Sequence, residues 1–93
     1  MGLVFEWDSN KAKTNVLKHN VSFEEATTVF GDKHSITIAS PMSTTHERRL
    51  VTMGMSARGR IIVVVHTERG NRIRIISARP ASRKERKQYL YEA

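Results

Sequence analysis

The spacing of hydrophobic and polar positions changes near His34. Ahead of it the period is helical. Asp8 precedes residues 9–18, where Ala12, Val16 and Leu17 form a narrow apolar stripe and Lys11, Lys13 and Lys18 take the wet side. A carboxylate at that point accepts from the free amides of a first turn, so the pattern predicts a helix capped by Asp8 and broken at His19-Asn20, with Asn20 left-handed. Ser22-Phe23-Glu24-Glu25 then reads as a capping box, in which Ser22 caps the Glu25 amide and Glu25 reaches back. Phe23, Ala26, Thr27 and Phe30 follow at helical spacing as far as Gly31, which predicts a second helix paired with the first as a hairpin.

Beyond His34 the period is two. Ser35-Ile36-Thr37-Ile38 alternates, as does 49–55, and Ala57-Arg58-Gly59 supplies a hairpin turn. Residues 61–65 are a continuous β-branched run, which predicts a central strand covered on both faces. Arg69-Gly70-Asn71 makes the next turn, and 72–78 forms a last strand with Ile73 and Ile75 on one side and Arg72 and Arg74 on the other. Pro80 ends it. Ser82-Arg83-Lys84-Glu85 is a second capping box, opening a C-terminal helix through Leu90, and residues 3–7 supply a candidate edge strand. The polar stretch 40–46 reads as a mobile loop. The predicted fold is therefore α+β, a single domain over residues 1–93 with two N-terminal helices and a C-terminal helix on an antiparallel sheet.

Composition narrows the chemistry. The 93 residues include no cysteine, which excludes disulfide scaffolds, thiolate metal sites and thiol nucleophiles. The longest apolar run, 61–65, is too short to span a bilayer, and the N-terminus lacks a basic segment followed by a long apolar one, so a cytoplasmic chain without membrane contact is expected. No two histidines stand at i, i+4 and no carboxylate cluster occurs, so no metal site is predicted. Phosphate-binding loops and dinucleotide fingerprints are absent, and no cofactor is expected.

Charge points to the partner. Lys+Arg number 16 against 9 Asp+Glu, a formal net charge of +7, which favours polyanions and nucleic acid first among them. The cations concentrate at Arg72, Arg74, Arg79, Arg83, Lys84, Arg86 and Lys87, across the last strand and the final helix. A helix N-terminus there adds exposed amide donors and partial positive charge. Arg83 and Arg86 are i and i+3, and Tyr89 is expected to continue their row.

These segments resemble a known family, the BrnT toxins of bacterial type II toxin-antitoxin pairs. The resemblance rests on Phe5-Glu6-Trp7-Asp8, on Asn15 with Lys18-His19, on Val21-Ser22-Phe23-Glu24-Glu25-Ala26 with Val29-Phe30, and on the run from Arg74 through Ser77-Ala78-Arg79-Pro80 to Arg86. Asn20 stands where the family commonly has Gly, and residues 31–60 match only in general character. The resemblance implies a RelE-like fold, a ribonuclease that arrests translation, and a BrnA-like antitoxin whose ribbon-helix-helix domain binds operator DNA, which the toxin would reach only through it.

Metal-independent RNA cleavage needs a base for the 2′-hydroxyl, cations for the phosphorane and an acid for the leaving 5′-oxygen. Arg79 and Arg83 are the expected phosphate clamp, with Arg74, Lys84, Arg86 and Lys87 as further RNA contacts. Lys18, His19, Glu47, His66 and Tyr89 are the candidates for proton transfer. Each has a structural alternative. His19 suits a helix C-terminal carbonyl, Glu47 an ion pair with Arg48 or Arg49, His66 the interior of the sheet, and Tyr89 either a base or the sheet. Trp7 reads as a core aromatic and His34 as a strand cap. A non-catalytic basic module that grips RNA or a partner protein needs the same surface.

Overall fold

The computed structural model describes residues 2–41 and 43–92, so Met42 of the predicted loop lies outside them. Asp8 and Asn20 bracket helix α1 (Ser9–His19) as expected. Asp8 Oδ1 accepts from the amides of Asn10 at 2.8 Å and Lys11 at 3.1 Å, and Asn20 adopts φ 56° with its amide donating to the Val16 carbonyl. Helix α2 (Phe23–Thr28) starts at Ser22, whose Oγ accepts from the Glu25 amide at 3.0 Å, and ends in one 3-10 turn over Val29–Gly31. The predicted box closes in one direction only, because the Glu25 carboxylate turns inward. It accepts from Arg60 Nε and Nη2 at 2.7 and 2.6 Å and from Ser56 Oγ at 2.7 Å, tying α2 to a hairpin 31 and 35 residues on.

Strands β1 (Val4–Glu6), β2 (Ile36–Ala39), β3 (Arg49–Met55), β4 (Ile61–Arg69) and β5 (Arg72–Pro80) form one sheet in the order β1-β5-β4-β3-β2. From β2 to β5 it is the expected antiparallel meander, with Gly59 at φ 80° and Gly70 at φ 60° in the two tight turns. The edge strand β1 instead runs parallel to β5, which makes the sheet mixed. A strand that precedes the helices and lands beside the last strand pairs across the whole chain, and local pattern carries no signal for its direction. Helix α3 (Arg83–Glu92) follows β5.

Both faces of β4 are buried, as its β-branched run predicts. Ile62 and Val64 pack with Val21, Phe23, Ala26, Val29, Ile75 and Ala78 beneath α1 and α2, while Ile61 and Val63 pack with Met53, Ala81 and Tyr89 beneath α3. A bulge interrupts the β4–β5 ladder: Val65 faces Ser77 and His66 faces Ile75, leaving Ile76 unpaired. Ahead of the bulge Ile73 and Ile75 share one side, as predicted, and it is the α1 side. Past it Ala78 takes that side, and Arg79, paired with Val63, joins the face of Arg72 and Arg74.

Candidate active site

Pairing of β1 with β5 stops at Arg74, so the outer edge of β5 is open beyond it. Asn15 of α1 occupies part of that edge. Its Nδ2 donates to the Ala78 carbonyl at 2.7 Å and the Val21 carbonyl at 2.9 Å, and its Oδ1 accepts from the Ala78 amide at 3.1 Å. The side chain is buried and acts as one more rung of the ladder. Lys18 and His19 lie three and four residues beyond Asn15, hence on the same side of α1. They line a groove of about 290 Å³ with Asn15, Ile76 and Ser77. Lys18 is exposed and His19 half-buried. Two proton-transfer candidates therefore stand together beside Ser77, two residues short of Arg79.

At the start of α3 the second capping box closes both ways. Ser82 Oγ accepts from the Glu85 amide at 3.1 Å, and Glu85 Oε1 accepts from the Ser82 amide at 2.8 Å. The same carboxylate binds Arg79 end-on, Nη1 to Oε1 at 2.7 Å and Nη2 to Oε2 at 3.0 Å, and Nη1 also reaches the Pro80 carbonyl at 3.3 Å. The Arg79 guanidinium, outweighing burial, holds the Glu85 carboxyl down at about 2, and Glu85 in turn raises Arg79. Arg86 Nη1 donates to the Ala81 carbonyl at 2.9 Å. Arg83, Lys84 and Lys87 are exposed, and their side chains make no hydrogen bond or ion pair among the described residues. The α3 terminus thus presents an unpaired arginine and two unpaired lysines next to an arginine fixed in orientation.

Other candidates lie elsewhere. Arg74 Nη1 is 3.0 Å from Glu6 Oε2, and Arg72 is 3.5 Å from the same carboxylate, whose pKa the Arg74 hydrogen bond lowers. Glu47 pairs with Arg49 at 3.0 Å and lines a separate cleft of about 470 Å³ with His46, Thr67, Glu68 and Arg69. Thr67 is four residues along β4 from Val63, the partner of Arg79, or about 13 Å. The sheet does not bring Glu47 to the Arg79 cluster.

Tyr89 leaves the predicted row of Arg83 and Arg86. Each i+3 step on an α-helix falls about 60° short of a full turn, so two steps carry Tyr89 about 120° round, onto the sheet. It is 4% exposed, and its hydroxyl donates to Asp32 Oδ2. Burial and then the Asp32 carboxylate push its pKa up to about 12. His66 is buried as expected, with Nε2 2.8 Å from Thr52 Oγ1 and its ring edge-on to Phe30. Its Nδ1 has no partner among the described residues, and burial lowers its pKa. Trp7 packs edge-on against Phe23 with centroids 5.9 Å apart, a core aromatic as predicted.

The contacts of three residues escaped the sequence reading. Asn15 and Glu85 stood only in the matched segments, as a helical position and a cap. Asp32 gathers the amides of His34 at 2.9 Å and Met55 at 2.7 Å together with Tyr89, and its partners lie up to 57 residues away. Among the described residues no three His, Asp or Glu side chains converge as metal ligands, and no helix is long and apolar enough to cross a membrane.

Comparison with known proteins agrees with this architecture. The family model described as "Ribonuclease toxin, BrnT, of type II toxin-antitoxin system" matches residues 7–85. The 1.1 Å crystal structure of the Brucella abortus ribonuclease toxin BrnT superposes with a TM-score of 0.65 at 25% identity, over 88% of this chain and 100% of that one. No curated protein matches the sequence.

Proposed function

Since the chain belongs to the BrnT family of ribonuclease toxins of type II toxin-antitoxin systems, we propose that it cleaves RNA without a metal, at the open edge of β5. The observation that carries this reading is the convergence of Lys18 and His19 with Ser77 in one groove at the edge of β5, the strand that two residues on carries Arg79, turned to the α3 side of the sheet. Imidazole changes charge near neutral pH when unperturbed, which suits a side chain that must take or give a proton there. In this reading His19 and Lys18 serve the 2′-hydroxyl and the leaving 5′-oxygen. Arg79 and Arg83 hold the phosphate as it gains charge, and Arg86, Lys84 and Lys87 draw in the flanking backbone. Arg74, tied to Glu6, stands further along the same face. Glu47 and Tyr89 take no part.

Translation then stops because RNA is cut. The chain's partner is a BrnA-like antitoxin with a ribbon-helix-helix domain, which covers the basic surface of β5 and α3 and alone contacts operator DNA. Opposite charges steer such an association, so its rate should fall steeply with salt over a Debye length of about 10 Å at 0.1 M. One observation favours a second reading, a basic module that binds without cutting: the end of the Arg79 guanidinium is already occupied by Glu85.

The test is cleavage of end-labelled RNA by purified protein in EDTA. Expected are fragments ending in 2′,3′-cyclic phosphate, a loss of about 100-fold or more in His19→Ala, and a loss of about tenfold in Arg79→Lys, since a point charge cannot copy a planar fork. Binding of RNA with no cleavage would establish the second reading, and cleavage abolished by EDTA would remove metal independence.

A further inference from the structure

A guanidinium carries five N–H donors, arranged as an end-on fork of Nη1 and Nη2 and a side-on fork of Nε and Nη2. In Arg79 the end-on fork is spent on the two Glu85 oxygens at 2.7 and 3.0 Å, and the second Nη1 hydrogen on the Pro80 carbonyl. The Nε hydrogen and the outer Nη2 hydrogen remain, and they are parallel. Glu85 is itself immobilised, because the Ser82 amide donates to Oε1 at 2.8 Å and the first turn of α3 fixes its backbone. The side chain of Arg79 is 46% exposed, and the remaining fork has no partner among the described residues.

We propose that Glu85 is a positioning residue of the RNA-cleaving site: it grips Arg79 end-on and presents the side-on fork, already oriented, to a phosphate of the RNA. This rests on the reading of Arg79 as a phosphate contact. It also divides the labour among the cations. The Arg79–Glu85 pair has no net charge and supplies geometry, whereas Arg83, Arg86, Lys84 and Lys87 supply attraction. An anion next to the phosphate weakens capture while the orientation it enforces speeds the chemical step.

Opposed effects on kcat and KM therefore identify the role. Glu85→Gln keeps the helix cap, since glutamine serves at that position of a capping box, but it removes the charge and the second acceptor. The measurements are steady-state cleavage of an RNA oligonucleotide and the affinity for the same oligonucleotide with every 2′-hydroxyl methylated, which cannot be cut. Glu85→Gln should lower kcat by about tenfold while KM and the dissociation constant of the methylated probe stay level or fall. Ser82→Ala weakens the cap without touching the pair and should keep kcat. Arg79→Lys combined with Glu85→Gln should be no slower than Arg79→Lys alone, because both act through one contact.

Wild-type kcat in Glu85→Gln with Arg79→Lys impaired would overturn the positioning role and leave the ribonuclease reading standing. Additive losses in the double variant, or a kcat loss in Ser82→Ala equal to that in Glu85→Gln, would overturn it too, by assigning the effect to helix stability. If the parent protein cuts no RNA, both readings fall together.

Discussion

Replacing Asn15 by alanine removes three hydrogen bonds at once, from the Ala78 amide and to the carbonyls of Ala78 and Val21. Both residues are 0% exposed, so the stranded groups have no direct route to water. A satisfied bond contributes about 1 kcal/mol net, and an orphaned buried donor costs about 1–3 kcal/mol. The Ala78 amide dominates, because a carbonyl tolerates one empty lone pair better than an amide tolerates none filled. The loss should come to about 3 kcal/mol, a large share of the 5–15 kcal/mol typical of a domain. Urea unfolding followed by Trp7 fluorescence measures it, since Trp7 packs on Phe23 beneath the same helices. With a slope of roughly 1.5 kcal/mol per M, the midpoint should fall by about 2 M. Asn15→Asp keeps the volume but aims a carboxylate at two carbonyl oxygens, so it should be no more stable than the alanine variant at neutral pH. A loss below about 1 kcal/mol for alanine at unchanged slope, or an aspartate variant as stable as the parent, would refute this account of the β5 edge.

Tyr89→Phe should lose about 1.5–3 kcal/mol through its bond to the Asp32 carboxylate while cutting RNA normally per folded molecule; lost cleavage at full stability would return Tyr89 to proton transfer. Gly54→Ala puts a Cβ 2.9 Å from Val29 Cγ1, 3.0 Å from Ser35 Cβ and 3.1 Å from Asp32 Oδ2. It should cost about 1–3 kcal/mol, and an unchanged melting temperature would show that this corner yields. Arg60→Met strands the buried Glu25 carboxylate and should cost about 3–5 kcal/mol in denaturant, with Glu25→Gln in the same background recovering part of it. Glu85 titrates at about 2 against an ordinary 4.5, so its contribution is complete above about pH 4.5 and is lost as the pH falls toward 2. The parent should therefore lose urea resistance faster than Glu85→Gln across that window; equal slopes would discount the pair.

Much of the scaffold was legible because it depends on neighbours in the chain. Asp8, Asn20, Ser22 and Ser82 work within four residues, and the period-two runs are read one strand at a time. What escaped is set by distant partners. Glu25 obeys Arg60 rather than its own helix, β1 takes its direction from β5, and Asp32 is defined by Met55 and Tyr89. At the candidate site the basic segment 79–87 and the Lys18-His19 pair were visible, but not that Asn15 ties the helix of Lys18 and His19 to the edge of β5. Nor could the sequence reveal that Glu47 belongs to another cleft or that Tyr89 turns inward. Those outcomes follow from strand register and from the slow rotation of an i+3 row.

The unpaired Ile76 means that β5 is one residue longer than its partner strand requires. A surplus residue is slack, and slack tolerates changes in length that a regular ladder does not. Deleting Ile76 leaves Ser77 opposite Val65 and Ile75 opposite His66, so Arg79 keeps its outward face and Ala78 its place in the core. A deletion in the regular part of β4 would exchange the rows that face its two cores. Yet Ile76 also lines the groove beside Lys18 and His19. Loss of this one residue would remodel the pocket without disturbing the scaffold, which makes position 76 a place where the groove can be reshaped independently of the fold.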